Sequence, residues 1–375
     1  MILANVRSNT KSAISSLAPK RQNRLAVARL LVIVTAGFAV PECALAQDSA
    51  RATAKTQLAA ANGWTYQLQG LDLEVAAQEA ADVLVTDHSI DGTAEQILAS
   101  GEVAALKLKP DGSRRLVVAY MSIGEAESYR FYWNRKWAAG MRAAASPGNP
   151  DAQVPEFDVA DTCATSDCSN DAAATAVQLK AGSPMREQAP NWLHLENAQW
   201  AGNYYVRFWQ PEWQNIIFGR PDSYLDRIIE AGFDGVYLDR ADIYAYWEAT
   251  RSSSEDDMIE FVVRLSAYAK ARNPEFLVIL QNAEELASRP AVRTAIDSVA
   301  KEDLLYGIDH TETANRPNEV AASLRHLKRA QANGLPIFVV EYLSDARRIE
   351  KARTRLQDLG FVSTFASREL GSLIE

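Results

Sequence analysis

The sequence predicts an α/β protein built as one (β/α)8 barrel, on three observations. Eight short runs of near-continuous apolar, β-favouring residues recur over about 300 residues. Most are followed by a longer stretch with helical periodicity, and strands buried on both faces imply a parallel sheet with crossover helices. No Gly-rich phosphate loop follows the first run, which disfavours the open doubly wound sheet, the other architecture of this class.

In chain order the strands are expected at Tyr66–Leu68, Val83–Thr86, Leu116–Met121, Gly235–Leu238, Leu277–Leu280, Ser298–Lys301, Ile337–Val340 and Phe361–Phe365. Helical periodicity covers Thr93–Leu106, Tyr224–Ala231, Asp256–Ala271, Glu319–Ala332 and Asp345–Leu359. The Gly-Phe-Asp-Gly stretch before Val236 fits a helix end followed directly by a strand. More than a hundred residues separate Met121 from Asp234, an insertion after the third strand. A loop of that length is functional or has structure of its own, and after a strand's C-terminal end it belongs on the active face.

Residues 63–375 are expected to form the barrel domain, with 47–62 as a linker and 1–46 as a cleavable leader. The leader carries Arg7, Lys11, Lys20, Arg21, Arg24 and Arg29, then the apolar run Leu30–Val40, then Ala44-Leu45-Ala46 before Gln47. That order is a signal peptide cut after Ala46, giving a secreted or periplasmic protein; an uncleaved anchor is the other reading. These 46 residues hold six bases and one acid, Glu42. They therefore hold +5 of the chain's net −9, and the remainder stands at −14. So acidic a chain repels nucleic acid and anionic membrane and suits a cationic polymer, although the charge also serves solubility. With the leader gone, Cys163 and Cys168 remain, and in an oxidising compartment they are expected to form a local disulfide.

The strand ends carry the chemistry. The second strand ends at Asp87-His88, the third at Ser122-Ile123-Gly124-Glu125-Ala126-Glu127 and the fourth at Asp239. The fifth ends at Gln281-Asn282, the sixth at Glu302-Asp303 and the seventh at Glu341-Tyr342. In a barrel these ends converge on one face. Carboxylates and amides ringed by aromatic residues suit a carbohydrate, whose apolar faces stack on rings and whose polar groups pair with acids and amides. Glycoside hydrolysis needs two carboxyl groups, one protonated and one ionised, and Asp239 and Glu302 are the candidate pair. Taken singly, each acid has a plainer reading. Asp239 could cap a helix or pair with Arg240, and Glu302 could be one acid of a solvated loop. The four histidines (His88, His194, His310, His326) are scattered, with no HExxH, no GxSxG elbow and no P-loop, so the chain calls for no metal or other cofactor.

Several segments resemble the endo-α-1,4-polygalactosaminidase-like glycoside hydrolases, family 114 and its bacterial relatives. They are Tyr66-Gln67-Leu68-Gln69, the block from Ala119 to Glu127 with Tyr129-Arg130-Phe131-Tyr132-Trp133, and Gly232 to Asp239. Gly202-Asn203-Tyr204, Trp209-Gln210-Pro211-Glu212-Trp213, Gln281-Asn282 and Val299 to Asp303 continue the likeness. The resemblance spans Trp64 to Phe365 and implies a (β/α)8 barrel that hydrolyses α-1,4-linked galactosamine or N-acetylgalactosamine. It also implies that the acids closing strands four and six, here Asp239 and Glu302, are the catalytic pair. The chain departs from the fungal members of the family in its long cysteine-bearing insertion, and from many relatives in Arg240, where they carry a small or amide residue. Tyr120, Glu125, Gln281, Asn282, Tyr306 and Glu341 are expected to line the cleft, with Trp209, Trp192 and Trp213 as stacking platforms. The expected partner is an amino-sugar polysaccharide. A binding barrel without turnover, and a glycosidase for another glycan, are the alternatives. Nothing in the sequence sets an oligomeric state.

Overall fold

The computed structural model describes residues 53–138 and 189–371. The leader and the Cys163–Cys168 pair lie outside them. Helix α1 (Ala54–Ala59) is N-capped by Thr53 and buries Leu58 in the barrel's interior cluster, so part of the segment expected as a linker is structured. Strand β1 (Trp64–Gln67), α2 (Leu73–Gln78), β2 (Val83–Thr86), α3 (Ser100–Leu106) and β3 (Leu116–Ser122) follow. The helix expected from Thr93 begins only at Ser100. Asp91 accepts from the Thr93 amide and hydroxyl, and that turn competes with helix there.

The insertion contributes a small antiparallel sheet in the order β4 (Glu125–Glu127), β6 (Asn203–Val206), β5 (Leu193–Glu196). Helices α4 (Arg135–Ala138), α5 (Pro211–Ile217) and α6 (Tyr224–Glu230) lie in the same stretch. The barrel resumes with β7 (Gly235–Asp239), α7 (Tyr244–Trp247), α8 (Ser254–Arg272), β8 (Leu277–Gln281), α9 (Pro290–Ala295) and β9 (Ser298–Glu302). It ends with α10 (Pro317–Ala332), β10 (Ile337–Glu341), α11 (Ala346–Asp358) and β11 (Val362–Phe365).

The eight barrel strands pair in parallel in the order β1-β2-β3-β7-β8-β9-β10-β11. The sheet curls until its first and last strands are neighbours. There the Trp64 indole donates to the Val362 carbonyl at 3.1 Å, and the Leu68 amide to the Leu370 carbonyl at 2.9 Å. The result is a nearly closed (β/α)8 barrel. The two-residue strand period divides its side chains. Tyr66, Val85, Val118, Tyr120, Tyr237, Ile279, Ala300, Phe338 and Val340 fill the interior. Val117, Ala119, Val236, Leu238, Val278, Val299 and Val339 face outward beneath Phe261 and Leu265 of α8, Leu327 of α10 and Leu356 of α11.

Helix α8 shows how sequence sets an element. Glu255, Asp256 and Asp257 open it and Lys270 and Arg272 close it, each sign favourable to the helix dipole. Met258, Phe261, Val262, Leu265 and Ala269 form its buried stripe. The Gly-Phe-Asp-Gly motif proves structural. Asp234 accepts from the Val117 amide at 2.9 Å and pairs with Lys107. A Cβ at Gly235 would strike the Leu277 backbone of the adjoining strand. Among the described residues no helix is long and apolar enough to cross a membrane.

Candidate active site

The alternation that fills the barrel also builds its mouth. Asp239 lies two residues beyond inward Tyr237, Gln281 beyond Ile279, Glu302 beyond Ala300 and Tyr342 beyond Val340. All four reach a cleft of about 600 Å³ whose wall also includes Tyr66, Asp87, Tyr120, Glu125 and Asn282. Asp239 and Glu302 thus lie on one floor, from strands separated only by β8.

Each carboxyl is held by neutral donors. The Tyr120 hydroxyl donates to Asp239 Oδ2 at 2.7 Å and the Arg240 amide to Oδ1, also at 2.7 Å. Asn282 donates through Nδ2 to Glu302 Oε2 at 2.8 Å and accepts from the Glu302 amide at 3.0 Å. The Tyr342 hydroxyl donates to Glu302 Oε1. Among the described residues neither carboxyl forms an ion pair within 4 Å. Burial, followed by the charge of Glu302, pushes Asp239 up to about 8. The Asp239 carboxyl therefore holds its proton near neutrality, beside the carboxyl of Glu302. Such a floor can offer a proton and a carboxylate together.

The backbone around it is strained. Six described non-glycine residues have positive φ, and five of them line this cleft: Arg240, Asn282, Asp303, His310 and Leu370. Arg240, Asn282 and Asp303 directly follow the ends of β7, β8 and β9, at φ of 61°, 58° and 51°. Left-handed backbone at non-glycine residues is costly and concentrates where function constrains the chain. Gly124 serves the same corner, since a Cβ there would collide with the Arg240 carbonyl. That approach seats Glu125 against the Arg240 guanidinium at 2.9 Å. Burial raises the Glu125 carboxyl, while Arg240 and Asn197 oppose the rise.

A model of glycoside hydrolase family GH114 matches residues 145–375. The chain belongs to glycoside hydrolase family 114. An uncharacterized protein of Methanocaldococcus jannaschii is 33% identical over 303 residues, covering 79% of this chain and 70% of that relative. An uncharacterized protein of Deinococcus radiodurans is 29% identical over 325 residues, 85% of each chain. The glycoside hydrolase domain of PelA from Pseudomonas aeruginosa shares the fold, with a TM-score of 0.52 at 17% identity over 84% of this chain and 98% of that domain.

Of the cleft residues expected for this hydrolase, Tyr120, Glu125, Gln281 and Asn282 do line the cleft beside Asp239 and Glu302. Three do not. Glu341 belongs to the outward parity of β10, adjoining inward Val340. It is fully buried and accepts from the Leu305 and Tyr306 amides at 2.8 and 3.1 Å, and burial pushes it up to about 8. Tyr306 packs in the outer core, and Trp209 packs against that core with its ring under Arg251. Trp192 and Trp213 are core as well, the Trp213 indole donating to the Ile123 carbonyl at 2.8 Å. Exposed rings on the cleft wall belong instead to Tyr129 and Trp200. Sequence reasoning gave no cleft role to these two, to Arg130 or to Arg368, and named Tyr342 only with Glu341 at the end of the seventh strand. Two-residue counting from Phe338 through Val340 would have found Tyr342; Arg368 arrives from beyond the last strand and has no local signal.

Proposed function

We propose that this hydrolase is exported and cleaves internal bonds of a polysaccharide of α-1,4-linked galactosamine and N-acetylgalactosamine, with Asp239 and Glu302 as the reacting carboxyl pair. The carrying observation is the unpaired carboxyl pair on the floor of an acid-rich cleft. Eight acids line it: Asp87, Asp91, Glu125, Asp239, Asp242, Glu302, Asp303 and Glu369. Its four permanent cations are all engaged: Arg130 with Asp87, Arg240 with Glu125, Lys301 with Glu284 and Arg368 with Asp303. The remaining field is negative and favours a sugar bearing an ammonium group. The linkage and the sugar rest on the motifs shared with the polygalactosaminidase-like enzymes. Export rests on the leader, and residues 63–375 form the catalytic domain.

In this reading the protonated carboxyl of the pair donates to the leaving glycosidic oxygen, and the ionised one attacks the anomeric carbon or activates water. Tyr120 and the Arg240 amide fix Asp239, and Asn282 and Tyr342 fix Glu302, so neither must reorganise during reaction. The test is release of reducing ends from partly deacetylated α-1,4-polygalactosamine by the mature protein, with Glu302→Gln alongside. Release by the wild type alone supports the reaction, the glycan and one carboxyl together. Equal release by both removes Glu302 from the mechanism. Binding without release by either favours a barrel that holds the polymer without turnover.

A further inference from the structure

The cleft does not end at the carboxyl pair. The cleft-facing side of the small sheet continues beyond it, because Tyr205 lies two residues past Asn203 on β6. Both share one face of that strand, and Tyr205 is the register partner of Glu125. Asn203 and Glu125 line the cleft, and Tyr205 stands about 7 Å beyond Asn203 along β6, beside Glu125 but not itself part of the lining. There the Tyr205 ring stacks on Tyr246, with centroids 4.5 Å apart and planes 27° from parallel. Tyr246 is 44% exposed and is braced edge-on by Trp247 at 5.0 Å. Asp242, which does line the cleft, lies in the short 3-10 turn Ala241–Ile243 that leads into α7, and its charge bears on the Tyr205 hydroxyl. Its carboxylate is 37% exposed, and its ion-pair partner, Arg240, is 3.9 Å away.

We infer that Tyr205 and Tyr246, with Asp242, form a secondary sugar platform on the rim of the cleft. It takes one amino-sugar unit of the same polymer, at the edge of the cleft and not at the carboxyl pair. A flat aromatic surface already immobilised by ring contacts stacks against a pyranose with little loss of side-chain freedom. Most exposed apolar side chains stand alone, whereas this one is paired, rigid and continuous with the cleft. The acid beside Tyr205 matches the amine of a deacetylated unit. This inference rests on the proposed amino-sugar substrate, and its test separates the two.

The probe is affinity electrophoresis of wild type, Tyr246→Ala and Tyr205→Ala in gels containing partly deacetylated polygalactosamine, chitosan or a neutral glucan. The companion assay is kcat/KM on polygalactosamine oligomers of increasing length. In the amino-sugar gels the wild type should be retarded, and Tyr246→Ala should lose roughly five- to tenfold in affinity. The ratio of kcat/KM on long oligomers to that on short ones should fall by a similar factor. Retardation of Tyr246→Ala equal to that of wild type in every gel, no retardation of wild type in any gel, or a loss of kcat/KM uniform across lengths would each overturn the platform. Absence of turnover with intact, Tyr246-dependent retardation would instead count against the proposed cleavage reaction. Because Tyr246 is exposed, its truncation leaves the core packing in place. Tyr205→Ala checks that the pair acts as one surface.

Discussion

The two sides of the cleft use the same residue types to opposite ends. On the β2–β3 side, Arg130 is buried between Asp87 at 2.6 Å and Glu127 at 2.6 Å, with side-chain exposures of 1 to 2% for all three. The Tyr129 hydroxyl joins the same cluster through Glu127 at 2.6 Å. On the β7–β9 side, Asp239 and Glu302 are half-buried at the open floor and are met only by hydroxyl, amide and backbone donors. The consequence appears in proton affinity. Burial works to raise Asp87, but Arg130 and His88 more than offset it, and the carboxyl stays below its ordinary range. Burial also works to raise Asp239, Glu302 adds to it, and the carboxyl climbs to about 8. A compensated buried charge fixes structure, whereas an uncompensated one is available for chemistry.

The sharpest way to break this contrast is to neutralise each side in turn. Asp239→Asn or Glu302→Gln should lower turnover by roughly 10³-fold or more, with circular dichroism near wild type and no loss of thermal stability at neutral pH. Near-normal turnover in either purified variant would remove that residue from the reacting pair. Arg130→Met should have its main effect on stability instead. It strands two buried carboxylates, and denaturant unfolding should show a loss of about 3–5 kcal/mol. A loss below about 1 kcal/mol would mean that the Asp87–Arg130–Glu127 cluster is solvated rather than locked. Between these lies Tyr342→Phe, which deletes one donor to Glu302 while keeping the ring. Turnover should fall roughly 10- to 100-fold with KM little changed, since a hydrogen bond to a charged group contributes about 1.5–3 kcal/mol. An unchanged kcat would show that Asn282 alone holds Glu302.

The sequence carried most of this fold because the barrel strands are long enough apolar runs to display their period, and all eight fall within a few residues of where that period places them. Asp239, Gln281 and Glu302 were legible for the same reason, since each closes a strand on its inward parity. Glu341 shows the cost of stopping at the strand end without counting parity: one residue decides between the cleft and the outer core. The expected platforms Trp192, Trp209 and Trp213 misled because ring content does not separate stacking surface from core, and it is the exposed Trp200 between them that reached the cleft wall. Contacts made across the fold were beyond sequence reading. Arg368 pairs with Asp303 at 2.9 Å and lies 4.5 Å over the Tyr342 ring, although it enters from the segment after β11. No periodicity encodes that arrival.

The smallest effect sharpens the comparison furthest, because its sign differs between the two sides. The proton on Asp239 is held more tightly in the folded chain than in the unfolded one, where an aspartate titrates near 3.9. Its contribution to stability is therefore fully present below about pH 4 and is lost as pH rises through about 8. Asparagine keeps the neutral form at every pH, so Asp239→Asn should gain on wild type between pH 4 and 8, by several degrees in Tm at the upper end. Asp87 runs the other way. Its carboxyl is held below the ordinary value, so its contribution is present above pH 4 and disappears only as acid protonates it. Asp87→Asn should be less stable than wild type at pH 7, and the gap should close as pH falls below 4. Thermal unfolding of the three proteins across pH 3 to 9 reads both signs in one experiment. Parallel curves for the two variants would mean that the cleft's two sides share one electrostatic environment, and the division between locked and available charge would have to be abandoned.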